Sequence, residues 1–297
     1  MKIICSFKSF AFAKEIINNK VIDAFIISID KYNLLSENTF VKEEATSIIR
    51  YLKENNKKVI IEIARLFHED ELSDVKELIE YFNKEDVDYF MYSDFGVNYI
   101  LKSLNLIKKA MLYSNTYLTN TSDTLIYQEK NGMVVLSNQI NSLELIKINK
   151  NVLSNQVISA FGRALIMYTR RPLLTNYFEY RNESHNPKAT SYFLQEEFRS
   201  DLYPIIENDN SSKIYDFGYY YLLDELEKLE NPCDIIVSGE LLTNEEYLKV
   251  LRIYSNLLLK KKTVEESLEL LNNIGINLHK GAYSRKLTLL KGGNSNE

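Results

Sequence analysis

Short runs of apolar, largely β-branched residues return along this chain every 22 to 33 residues, and the stretches between them carry helical period. The runs cover residues 2–7, 24–29, 57–64, 87–93, 109–114, 132–137 and 156–161. They are continuously apolar rather than alternating, which is the pattern of parallel strands covered on both faces. Between them, 41–55 and 72–83 read as amphipathic helices. In the first, Ala45, Ile48, Ile49 and Leu52 stand at i, i+3, i+4 and i+7 and make one apolar stripe. An eighth run at 234–238 is followed by a helical stretch at 244–260. Eight strand–helix units predict an α/β fold, a closed (β/α)8 TIM-like barrel, with an open doubly wound parallel sheet as the alternative.

The interval 162–232 is too long for an ordinary strand-to-helix connection, and it holds all four prolines, Pro172, Pro187, Pro204 and Pro232. Its tyrosines and phenylalanines predict an ordered insertion, which in a barrel starts at the C-terminal end of strand seven, the face where barrel active sites lie. The expected organisation is one domain over 1–290 that includes this insertion. Residues 272–290 read as a turn and a final strand or strand pair, and 291–297 as a disordered tail.

With 45% apolar and 26% charged residues among 297, the chain is outside the disordered, collagen-like and disulfide-scaffold classes. No run approaches the roughly 18 apolar residues of a membrane span, and the start does not read as a signal peptide. Cys5 and Cys233 form no CxxC pair, which fits a reducing cytoplasm and no local metal site. A pI near 5.5 argues against nucleic-acid binding through bulk charge. Arginine is more telling: nine of the 36 basic residues are arginine, and five of these (Arg163, Arg170, Arg171, Arg181, Arg199) fall within 37 residues. A planar fork that grips carboxylate or phosphate with two bonds suits recognition.

The candidate binding residues are therefore Arg163, Arg170 and Arg171 with Asn176, Tyr177 and Tyr168, the aromatic rings offering surfaces on which a base can stack. The bland reading is that Arg170 and Arg171 pair with Glu179, Glu183, Glu196 or Glu197, and that 198–204 packs the insertion onto the barrel. Amides after the strands, Asn115, Asn138 and Gln139, can bond a polar ligand, and Asn120 reads as a helix cap. Asp94 ends strand four and is either a base or the cap of the next helix. His68 follows strand three and is either a residue of the barrel mouth or a surface-loop histidine. With His185 and His279 it completes the histidines, which form no zinc or hydrolase motif.

The segment 162–177, GRALIMYTRRPLLTNY, resembles the central motif of the peptidase U32 family, the collagenase-like proteases. Gly162 takes that motif's glycine, Tyr168 and Thr169 its Tyr-Ser, Arg171 its arginine, and Thr175, Asn176 and Tyr177 its Ser-Asn-Tyr ending. Segments 87–97, 113–120, 236–254 and 281–291 are similar to four further motifs of the family, in the family's order. There are departures. The family's cysteines fall on Leu165 and Pro172, its histidine on Phe161, an Arg-Glu pair on Asn138 and Gln139, and the glutamate of its EGR motif on Ser238.

The resemblance implies a barrel and a divided function. Members are named as proteases, yet others serve oxygen-independent hydroxylation, including that of the tRNA wobble uridine with prephenate as co-substrate. Short members work beside a longer U32 paralogue. For this chain it implies a tRNA-hydroxylation subunit with tRNA and such a paralogue as partners. The alternatives are a peptidase or a non-catalytic barrel that stabilises a relative. Many relatives hold an iron–sulfur cluster through four cysteines; with two, this chain is expected to bind no such cofactor.

Overall fold

The computed structural model describes residues 1–36, 38–114, 118–184, 192–208 and 211–284. Its strands are β1 (Ile3–Ser6), β2 (Ile22–Ile29), β3 (Thr39–Phe40), β4 (Lys58–Ile63), β5 (Tyr89–Tyr92), β6 (Ala110–Tyr113), β7 (Met133–Val135), β8 (Gln156–Thr169), β9 (Tyr192–Gln195), β10 (Leu202–Asn208), β11 (Ser211–Tyr221), β12 (Cys233–Val237) and β13 (Leu278–His279). Eight of them, in the order β12-β1-β2-β4-β5-β6-β7-β8, pair in parallel, and β12 also pairs with β8. The sheet is a closed barrel; that last pairing excludes the open doubly wound sheet. Eight strands is the number the apolar runs predict.

Helices α1 (Phe10–Ile16), α2 (Lys42–Glu54), α3 (Leu72–Lys84), α4 (Phe95–Ser103), α5 (Thr121–Lys130) and α6 (Ser142–Asn151) follow the first six barrel strands, α7 (Leu173–Arg181) lies in the insertion, and α8 (Asn244–Leu258) and α9 (Val264–Asn272) follow β12. The predicted stripe of α2, Ala45, Ile48, Ile49 and Leu52, is buried. Asn56, Asp86 and Asn105, just past α2, α3 and α4, have φ near +58°, a left-handed turn these short polar side chains tolerate. No described helix is long and apolar enough to cross a membrane.

The core has two layers separated by the barrel wall. Phe25, Ile27, Ile61, Phe90, Leu112, Ile158 and Val237 face the helices. Ile4, Ile26, Ile60, Met91, Met111, Val135, Val157 and Ile236 fill the barrel interior. Tyr247 holds the seam where the barrel closes. Its hydroxyl donates to the Val237 carbonyl at 2.7 Å and accepts the Ser6 amide at 3.0 Å, joining β12 to β1. Gly239 leaves room for that ring, since a Cβ there would stand 2.2 Å from it.

The seventh unit departs from the expectation. Strand seven does not stop at 161: β8 runs on to Thr169, pairs in parallel with β12 as far as Phe161, and pairs beyond it antiparallel with β11. With β10 and β9 it forms an antiparallel sheet that grows out of the barrel. Of residues 198–204, Phe198 is 93% exposed, while Tyr203 packs edge-on against Phe217 of β11, with ring centres 5.9 Å apart. Between β11 and β12 the described chain has only the short turn Leu226–Lys228. The C-terminal turn Gly281–Ser284 packs on α6 and β11, and its Tyr283 hydroxyl donates to the Ser159 carbonyl of β8 at 2.9 Å. Of the expected final strand pair, β13 is short, and 285–290 lies outside the described residues, as does the tail 291–297.

Candidate functional site

At the C-terminal end of the barrel the inward row changes character. Two residues beyond the apolar interior positions Ile4, Ile26, Ile60, Met91, Met111, Val135, Val157 and Ile236 stand Ser6, Ser28, Glu62, Ser93, Tyr113, Ser137, Ser159 and Ser238. Side chains two apart on a strand share a face, so a ring of polar groups rims the mouth. This period-two switch from apolar to polar is present in the sequence, and it is the signal that composition and motif reading passed over.

The insertion closes the ring from above. Arg163 and Leu165 of β8, with Tyr215 and Tyr220 of β11, line a cavity together with Ser6, Glu62, Tyr113, Ser159, Ser238 and Glu240. The space left is about 30 Å³, room for ordered water. The Arg163 guanidinium lies over the Tyr219 ring, 4.4 Å from its centroid, and its buried Nε has no hydrogen-bond partner among the described residues. Burial pushes the Tyr219 hydroxyl up to about 12, against the pull of Arg163. Gly162 admits the Tyr220 hydroxyl, which would stand 3.2 Å from a Cβ.

Glu62, a carboxylate at an inward position of β4, is fully buried. Its Oε1 accepts the amides of Leu34 (2.8 Å) and Leu35 (2.6 Å), and its Oε2 accepts the Ser28 hydroxyl. Burial raises its pKa; those bonds and the Lys213 charge oppose the rise. Glu240 is also buried, and Leu241 after it takes φ +61°, a strained conformation for a large side chain. The guanidinium offers donors to an anionic group, while the two carboxylates and the ring of hydroxyls can accept from a ligand's hydroxyls.

The sequence candidates scatter around this cavity. Arg163 lines it. Asn138 is buried beside Tyr220, whose hydroxyl it bonds, while the exposed Gln139 donates to the Asn138 side chain at 3.1 Å. Asn115 and His185 lie outside the described residues. Asp94 caps α4: one oxygen accepts the Gly96 amide at 2.6 Å and the other the Phe67 amide at 3.2 Å, the work of a cap rather than of a base. Asn120 caps α5 by accepting the Asp123 amide. His68 is exposed on a loop and does not line the cavity. Asn176 and Tyr177 are exposed on α7, whose first amides, at Leu174 and Thr175, are taken by Glu207.

The arginine cluster divides. Arg181 pairs with Glu183 and Arg199 with Glu196. Arg170 pairs with none of the glutamates expected of it. Its guanidinium grips Glu71, from the loop after β4, at 2.5 and 3.2 Å, and Tyr168 packs nearby with burial raising its pKa. Arg171 is exposed and makes no ion pair with a described residue. With Arg170, Arg181 and Arg199 each held by a carboxylate, an incoming phosphate would have to compete with those carboxylates for them.

The residues present do not fit a four-thiolate cluster. Leu165 lines the cavity, Pro172 starts α7, and both cysteines lie in the layer between strands and helices. Burial raises both thiols, Cys233 to about 12. Among the described residues no group of three or more His, Cys, Asp or Glu side chains is arranged to hold a metal.

The sequence profile of peptidase family U32 matches residues 9–282. The chain is 24% identical over 240 residues to the tRNA hydroxylation protein P2 of Bacillus subtilis (strain 168), covering 78% of this chain and 77% of that protein. Over 136 residues it is 26% identical to an uncharacterized protease of Methanocaldococcus jannaschii, which is 46% of this chain and 33% of that one. Its fold is similar to the solved structure of the U32 peptidase Mk0906, with a TM-score of 0.52 at 12% identity over 81% of this chain and 94% of the other. At that identity the likeness is one of fold.

Proposed function

The chain belongs to peptidase family U32, and from that premise we propose that it is a subunit of a tRNA-modifying system that hydroxylates the wobble uridine without oxygen, beside a longer U32 paralogue. The observation that carries this reading is Arg163, a guanidinium stacked on Tyr219 at the edge of the barrel-mouth cavity, its buried Nε without a hydrogen-bond partner among the described residues. Such a group is prepared for the carboxylate of a small acid, and prephenate as co-substrate is an acid of that kind. The similarity to a tRNA hydroxylation protein over three quarters of both chains supports the same reading. At about 30 Å³ the cavity has room for no more than water, so binding an acid of that size requires Leu165 and Tyr215 of the insertion to move aside.

The peptidase reading has less support. The described residues lining the cavity include no histidine and no cysteine, and the carboxylate that accepts the Ser28 hydroxyl, Glu62, is also tied to the Leu34 and Leu35 amides. The test is mass spectrometry of tRNA nucleosides from cells with and without this gene, and with Arg163→Lys in its place. Loss of a hydroxylated wobble uridine in the deletion and in the variant is the expected result. An unchanged nucleoside profile in the deletion overturns the proposal, and peptide cleavage by the purified chain establishes the alternative.

A further inference from the structure

At the rim of the mouth, two guanidinium groups converge on one carboxylate. Arg65 Nη2 lies 2.7 Å from Glu71 Oε1, and Arg170 Nη1 lies 2.5 Å from Glu71 Oε2. Arg65 is rigidly held. Its Nε donates to the Lys31 carbonyl, its Nη1 to the Leu66 carbonyl at 2.9 Å, and its guanidinium stacks 4.3 Å from the centre of Phe67. An Arg–Glu–Arg triad alone is an ordinary structural device. This one leaves donors over. Among the described residues Arg170 Nε is sealed from solvent with no hydrogen-bond partner, and Tyr168 Oη is sealed beside the Leu66 amide. Glu71 supplies two oxygens in one plane, and those oxygens already receive both guanidinium groups and the His68 amide.

We propose that Arg65, Arg170 and Tyr168 form a phosphate site at the barrel rim, that Glu71 occupies it as an internal stand-in, and that the phosphate it takes belongs to an RNA backbone. A phosphate has more acceptor oxygens than a carboxylate, and this cluster keeps two donors, Arg170 Nε and Tyr168 Oη, that no described residue satisfies. The arginines hold the Glu71 carboxyl down at about 2, so it remains charged at any working pH. Opening therefore comes from competition by another oxyanion and not from protonation. Only the identity of the phosphate's bearer rests on the tRNA reading above.

The test begins with inorganic phosphate titrated calorimetrically into the full chain. Glu71→Gln is expected to bind it about tenfold more tightly than the wild type, the scale of one charge-assisted bond released from competition. Adding Arg170→Lys should remove that gain. Glu71→Asp, which keeps the charge but shortens the reach, should give a smaller gain and serves if the amide variant fails to fold. Equal phosphate affinity in the wild type and both Glu71 variants overturns the site, as does a gain that survives Arg170→Lys. An anticodon stem-loop RNA, followed by fluorescence anisotropy across salt, tests the bearer. Arg170→Gln should lower the log–log salt slope by about one. Phosphate binding with an unchanged slope overturns the RNA assignment. Neither readout uses nucleoside modification, so failure here is distinguishable from failure of the hydroxylation reading.

Discussion

The parallel barrel and the antiparallel sheet that leaves it share one strand and follow opposite rules. Along the barrel half of β8, residues 156–161 are buried on both faces, inside the barrel and under the outer layer. Along the half that carries the insertion, burial falls away until Ile166 and Met167 are more than 40% exposed. A strand covered on both faces is mainly apolar, with Ser159 turned to the mouth; a strand with one face in solvent can carry Arg163 and Tyr168. The difference places recognition chemistry on the half that leaves the barrel, while the buried half supplies its rigid base.

Phe161 stands where the halves meet, fully buried and stacked on Tyr219 with ring centres 5.6 Å apart. Phe161→Ala should destabilise the protein by about 3–5 kcal/mol in urea unfolding. A loss under about 1 kcal/mol would mean that the insertion does not depend on the barrel. Tyr247→Phe removes one donor and one acceptor from the β12–β1 seam. It should cost about 1–3 kcal/mol and lower hydrogen-exchange protection in the barrel strands before the insertion.

Glu71→Gln tests the tie between the insertion and the loop after β4, and should cost about 1 kcal/mol, because Glu71 is partly exposed and screened. Its sign with pH is definite. A carboxyl depressed to about 2 contributes fully above the ordinary carboxylate range near ~4.3, and that contribution is lost as pH falls towards 2. The variant should therefore show a shallower acid limb between pH ~4.5 and ~2 when stability is followed by circular dichroism. Arg171→Lys should have the smallest effect on folding, within about 0.5 kcal/mol, since the side chain is exposed and unpaired with any described residue. Lost tRNA modification at unchanged stability would make Arg171 a contact of the working assembly.

Much of the barrel was legible because its signal is local. The apolar runs marked all eight strands, and polar residues ahead of helices marked the caps at Asp94 and Asn120. The insertion was harder to read. In β11, Ser212, Lys213 and Tyr215 are buried alongside half-exposed Ile214 and Asp216, so no continuous apolar run announces the strand. The ring of serines was visible in principle, as a polar residue two positions beyond each inward apolar one. Glu62 carried its own mark, a carboxylate in VIIEIA.

The periodicity of the chain by itself determined the number of barrel strands, their direction and the faces they bury, because burial follows from side-chain spacing within a few residues. Tertiary structure decided that β12 sits between β1 and β8 and thereby closes the sheet. It also decided that Arg170 meets Glu71, 99 residues away, and none of the four glutamates near it in sequence. An ion pair depends on distance in space and on the water excluded around it, and neither quantity is written in the order of residues.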